Sequence, residues 1–219
     1  MTTLTPTEVR VLGALIEKEI TTPEYYPLTL NALTIACNQK NNRNPVTVYS
    51  EPEVEDALNT LREKNLAYVF HGSTSRVPKY KHVAGQVLEV DSAQIAILCA
   101  LMLNGPQTIG EIRTRASRMF SFADLDQVEE TLRVLINKEP DPLVIKLPRQ
   151  LGQKEVRFAQ LLAGQPEIEP TAADEALAKP SRRALEAERI EELEEQVRTL
   201  AAEFQNLRSQ FEEFRKQFE

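Results

Sequence analysis

Apolar residues in this chain recur in two rhythms, one of three to four positions and one of two. In TEVRVLGALIEKE, Val9, Leu12, Leu15 and Ile16 fall on one side of a 3.6-residue helix. SAQIAILCALML repeats that pattern with Ile95, Leu98, Leu101 and Met102. TLNALTIA is matched by TIGEIRTR, which pairs Leu30 with Ile109 and Leu33 with Ile112. VEDALNTLREKNL is matched by VEETLRVLINKEP, which pairs Val54, Leu58 and Leu61 with Val128, Leu132 and Leu135. After each third helical pattern the rhythm changes to alternation. LAYVFHG and KYKHV flank a polar tip, STSRVP, and PLVIKLP and EVRFA flank RQLGQK, so each pair predicts a hairpin.

The same order, helix–helix–helix–hairpin, thus occurs twice, with connections of different length between matching elements. It is the order of a winged helix-turn-helix, in which the third helix packs on the first two and the hairpin forms a wing. Beyond the second hairpin, prolines, glutamates and small residues mark a linker. Then Ile190, Leu193, Val197, Leu200, Phe204, Leu207, Phe211, Phe214 and Phe218 alternate in steps of three and four, the a/d seam of a coiled coil. An apolar strip of this kind requires a partner, so self-association through these nine residues is expected. The predicted fold is mainly α with small β-hairpins (α+β). It comprises winged-helix domains over residues 1–88 and 89–164, a linker over 165–182 and a coiled-coil helix over 183–219.

Charge refines this picture. The 219 residues carry a net charge of −7. The first ninety residues and the stretch from 91 to 164 are close to neutral, and the acidity belongs to the tail. Overall acidity therefore does not by itself exclude nucleic acid as a partner of the winged units. No run of about 18 apolar residues is present and the start, MTTLTPTEVR, has no secretory pattern, so a cytoplasmic chain without a membrane span is expected. Cys37 and Cys99 lie far apart within apolar helical patterns and predict two buried free thiols.

Two long stretches, EKEITTPEYYPLTLNALTIACNQKNNRNPV (17–46) and VEDALNTLREKNLAYVFHGSTSRVPKYKH (54–82), resemble the YceH-like family of uncharacterised bacterial proteins. The resemblance covers residues 4–162 and implies tandem winged-helix domains. It implies no reaction, ligand or catalytic residue.

Catalytic patterns are sparse. Seven glycines form neither a GxGxxG nor a Walker loop, and no GxSxG or CxxC occurs. His71 and His82 fall in the two strands of the first hairpin and could face each other, but a metal needs a third ligand. A non-enzyme without cofactor or metal is expected.

Duplex DNA is the first partner class to weigh. Helical periodicity turns Asp56, Asn59 and Glu63 outward on the first third helix, and Asp126, Glu130, Arg133 and Asn137 on the second. Carboxylates there oppose a polyanion, so phosphate contacts are expected from wings and loop. The candidates are Lys40, Arg43, Arg76, Lys79, Lys81, Arg149 and Lys154. Arg113, Arg115 and Arg118 decorate the second helix of the second unit, with Arg118 outward. The alternative is a scaffold that grips another protein through the acidic third helices and the tail. The loop CNQKNNRNP serves either reading. Asn42 and Asn44 suit a demanding turn before Pro45, and Gln39, Lys40 and Arg43 add donors.

Overall fold

A computed structural model describes residues 3–71, 77–149 and 155–166 of the chain. The nine heptad residues of the tail, and the candidates Arg76 and Lys154, lie outside the described residues.

The expected order of elements is present in both halves. The first begins with α1 (Pro6–Thr21), α2 (Leu30–Cys37) and α3 (Glu51–Glu63), followed by strands β2 (Ala67–Phe70) and β3 (Lys79–His82). A strand too short for periodicity to reveal, β1 (Leu28–Thr29), precedes α2 and pairs antiparallel with β3, giving the sheet order β1-β3-β2. A one-turn helix, α4 (Ala84–Val87), leads into the second half: α5 (Ser92–Asn104), α6 (Ile109–Ala116), α7 (Leu125–Ile136), β4 (Val144–Lys146) and β5 (Phe158–Gln160). The counterpart of β1 in this half is a single bridge between Gln107 and Phe158. The fold is thus helical with small antiparallel sheets.

Local sequence sets the helix starts. Thr5 with Glu8, Ser50 with Glu53, Asp91 with Gln94 and Thr108 with Glu111 each form a reciprocal capping box. Pro6 and Pro52 occupy first-turn positions whose missing N–H costs no intrahelical bond. Several acids of the sequence therefore serve helix termini.

The halves over residues 1–88 and 89–164 pack closely on one another. The buried apolar residues of both halves form one continuous cluster, within a compact unit spanning Met1–Glu167. Helix α1 packs on α2 and α3 of its own half and most extensively on α5 of the other. Gly13 permits this approach, since a Cβ there would lie 2.9 Å from Leu103 Cδ2 and 3.2 Å from Met102 Cβ. At the same crossing Cys99 Sγ donates to the Gly13 carbonyl at 3.3 Å. Further bonds tie the halves, from Leu4 N–H to Leu162 O at 2.7 Å and from Asn44 N–H to Leu103 O at 2.9 Å. A first helix used from all sides explains why its residues 8–17 are all buried, where periodicity assigned it a single apolar face.

Candidate functional site

Residues expected to gather as phosphate contacts have different fates. Arg43 is the clear correction. Its side chain is fully buried beneath the loop, where Nη2 bonds Glu17 Oε2 at 2.5 Å and Ala36 O at 2.8 Å, and Nη1 donates to Asn42 O at 2.8 Å. Such a guanidinium holds the loop and cannot reach a phosphate. Lys40 is exposed on the same loop, and Lys79 and Lys81 are half-buried on β3. Lys81 Nζ lies 3.8 Å from Glu19 Oε1. Arg149 is exposed just past β4.

The loop is instead built around buried charge. Asn42 adopts φ +55°, the left-handed conformation asparagine tolerates better than most residues, as the turn reading required. Arg10, buried on α1, donates to Cys37 O at 3.1 Å, Thr47 Oγ1 at 3.0 Å and Pro45 O at 2.6 Å. Glu17 carries a second partner from the other half, for Arg118 Nη2 lies 2.7 Å from its Oε1. Burial alone would raise the Glu17 carboxyl, but the bonds and charges of Arg43 and Arg118 outweigh it and hold the group below its ordinary range. Arg118 is thus exposed, as expected, yet already paired.

The two histidines do not face each other. His82 pairs in register with Ala67, while His71 lies past the end of β2. His82 Nδ1 accepts the Ala84 N–H at 3.2 Å, which leaves the ring proton on Nε2, 2.7 Å from Glu19 Oε2. That close approach falls outside hydrogen-bond geometry. Burial, reinforced by the positive charge of Lys81, pushes His82 down to about 4, so the ring is neutral near pH 7. Among the described residues, no group of three or more His, Cys, Asp or Glu is placed to hold a metal ion.

A family model described as "Protein of unknown function, DUF480" matches residues 4–153. The chain belongs to this family. A UPF0502 protein of Geobacter sulfurreducens is 53% identical over 201 residues, covering 90% of each chain. A UPF0502 protein of Opitutus terrae is 50% identical over 181 residues, covering 80% of this chain and 79% of its own. One of Solibacter usitatus is 50% identical over 193 residues, covering 88% and 90%.

In this DUF480 chain three features of the exposed surface stand out among the described residues. The first is acidic: α3 exposes Glu51, Glu53, Glu55, Asp56 and Glu63, and α7 exposes Asp126, Glu129 and Glu130. The second is an open groove of about 890 Å³ between the last turns of α3 and strand β2, lined by Asn59, Arg62, Glu63, Tyr68 and His71. The third is apolar, consisting of Ile35, Val46 and Val48 on α2 and the segment that follows the loop. Sequence reasoning passed over this third part because Val46 and Val48 lie in a short stretch that no periodicity claims. It also passed over Arg10 and Glu17, although a lone charge within VRVLGALIE was a signal of a buried polar role. Among the described residues, no helix is long and apolar enough to cross a membrane.

Proposed function

We propose that this DUF480 chain is a non-enzymatic tandem winged-helix protein that works by holding another protein. The twice-repeated order of three helices and a hairpin supports the winged-helix reading. The observation that carries the choice of partner is the charge on the third helices. A winged helix that reads DNA lays this element in the major groove, where counterion release rewards Lys and Arg. Here both third helices face outward with carboxylates, and the arginine on α7, Arg133, is paired with Glu130. Elsewhere Arg43 and Arg118 are spent on Glu17, Lys64 on Glu8, and Arg157 on Glu111. A surface of this sign suits a partner that carries basic groups.

Absence of catalysis is part of the proposal. The Cys37 thiol is buried and pushed up to about 12, and the Cys99 thiol is raised further, so neither is poised as a nucleophile. The heptads from Ile190 to Phe218 support self-association of the chain, which would present two copies of the acidic faces.

A second reading, wing-led DNA contact, keeps one observation in its favour. Lys40 is exposed and Lys79 half-buried, and neither makes an ion pair among the described residues. One pair of experiments separates the two. In-cell cross-linking of the tagged full chain is expected to trap a stoichiometric protein partner, lost on Glu55→Lys with Asp56→Lys. Fluorescence anisotropy against duplex DNA at low salt is expected to show no binding. Salt-sensitive DNA binding that weakens with Lys79→Ala would overturn the proposal in favour of the second reading.

A further inference from the structure

Past Pro45 the chain runs through residues 46–50 without helix, turn or bend. Its exposure alternates: Val46 outward, Thr47 inward, Val48 outward, Tyr49 inward. Thr47 accepts from Arg10, and Tyr49 is held by a side chain that imitates a neighbouring strand. Asn38 Oδ1 accepts the Tyr49 N–H at 2.8 Å, and Asn38 Nδ2 donates to the Tyr49 carbonyl at 2.7 Å. In an extended chain the N–H and C=O of one residue point to the same side and those of the next to the opposite side. With both Tyr49 groups turned towards α2, those of Val48 turn away from it. Among the described residues they have no hydrogen-bond partner. Val48 is 90% exposed, so main chain and side chain both stand in water.

The apolar side chains beside this edge are not scattered. Val46 is 55% and Ile35 61% exposed. Ile35 lies on α2 on the helical face defined by Asn31 and Asn38, positions i, i+4 and i+7. Asn31 Nδ2 donates to Glu51 Oε1 at 2.8 Å, and Asn38 bonds Tyr49, so that face runs alongside the extended segment. Val46 and Val48 therefore flank an unpaired main-chain edge, with Ile35 across the segment from it. Natural edges are commonly guarded by lysine or proline; from Val46 to Tyr49 this one has neither.

We propose that residues 46–50 form a docking strip for an extended peptide segment of a partner protein, with alternating apolar side chains and basic residues. The peptide would add to the Val48 edge as a strand adds to a sheet, with main-chain bonds giving affinity and Val46 and Val48 meeting its apolar side chains. The sign of its charge follows from the flank. The strip runs directly into the first turns of α3, where Glu51, Glu53, Glu55 and Asp56 are exposed. The nearest arginine in sequence, Arg43, is buried against Glu17. A second copy of this chain brings the same acidic flank, so self-pairing at the strip gains no charge complementarity. The inference rests on the protein-partner reading and names the class of segment that the partner offers.

Selection of short random peptides displayed on phage, on the immobilised full-length chain, supplies the probe. Recovered peptides are expected to alternate β-branched or aromatic residues with others and to include Lys or Arg. They are expected to bind Val48→Pro and Val48→Asp at least about tenfold more weakly than the natural chain. Val48→Pro is the sharper variant, because it keeps an apolar residue, breaks no internal hydrogen bond and removes the edge donor. Val46→Lys, exposed on the same side of the segment as Val48, gives an independent loss should either Val48 variant lower the melting temperature. Enrichment of acidic peptides, no enrichment, or binding indifferent to all three substitutions overturns the strip. Amide exchange reports the free chain: the Val48 N–H is expected to exchange fast. Protection that grows with concentration would assign the edge to a second copy, and protection independent of concentration to residues 167–219; either overturns the proposal. A cross-linked partner that binds the Val48 variants undiminished defeats this strip alone, whereas absence of any partner defeats the broader reading.

Discussion

Arg43 and Glu17 meet beneath the loop that joins α2 to α3, and the same carboxylate reaches Arg118 of the second half at 2.7 Å. Removing one member leaves a buried charge uncompensated, a change that typically costs about 3–5 kcal/mol. Glu17→Gln is therefore expected to lower stability by about that amount in urea unfolding. Replacing both, as Glu17→Leu with Arg43→Met, should recover much of the loss, because an apolar pair of similar volume avoids the desolvation penalty. A Glu17→Gln protein as stable as the natural one would show that the cluster contributes nothing.

The crossing of α1 and α5 joins the two halves in one continuous core, and Gly13 permits a close approach there. A valine there would drive its Cβ to 2.9 Å from Leu103 Cδ2 and 3.2 Å from Leu103 Cγ, between helices buried on all sides. Overpacking of this kind costs about 1–3 kcal/mol. Gly13→Val is expected to lose that much, and Leu103→Ala in the same chain to restore part of it, measured as a double-mutant cycle. A single unfolding transition should be retained in the natural chain, since no boundary divides its core.

Stability should fall on the acid side in two steps whose signs follow from the pKa directions. His82 is neutral in the fold, with its pKa pushed down to about 4 from an ordinary 6.5. The unfolded chain therefore binds the extra proton first, and stability declines as pH falls from about 6.5 towards 4. Glu17 is held below its ordinary 4.5, so its contribution is complete above that value and is lost as pH falls through its lowered folded value. Glu19, raised by burial and opposed by Lys81, works in the other direction: its contribution is complete at low pH and fades as pH rises. The difference between unfolding free energies of the natural chain and His82→Gln isolates the first step. A difference that stays flat between pH 7 and pH 4 would rule it out.

The fold was largely legible because apolar spacing, strand alternation and turn residues agreed. Val54, Leu58 and Leu61, and their counterparts Val128, Leu132 and Leu135, are each essentially inaccessible to solvent, as their stripe predicted. Thr5, Ser50, Asp91 and Thr108 cap the helix starts, a signal that apolar spacing alone did not supply. What could not be read was the docking of one repeat on the other, because periodicity reports that a face is buried and not what covers it. For the same reason Arg43 looked like a surface donor: a charged residue in a polar loop is ordinarily solvated, and only the position of Glu17 on the neighbouring helix turns it inward. The acidic third helices were legible from the 100° rotation per residue alone. The open edge at Val48 was not, since it depends on Asn38 occupying one side of the segment.

Self-association is the last expectation to follow from the chain's own pattern. The nine heptad positions from Ile190 to Phe218 include four phenylalanines, and a lone helix would leave that strip in water. A chain ending at residue 165 keeps nearly all of the compact unit and should fold with an unchanged melting temperature, because no core residue identified in that unit lies beyond Leu162. Light scattering is expected to give a multiple of the monomer mass for the full chain and the monomer mass for the shortened one. Equal oligomeric states in the two would move self-association to the folded unit, where the Val48 edge would become its first candidate. Phe204→Glu in the full chain then separates the cases, since a charge in an a/d seam should dissociate a coil and leave an association at Val48 intact.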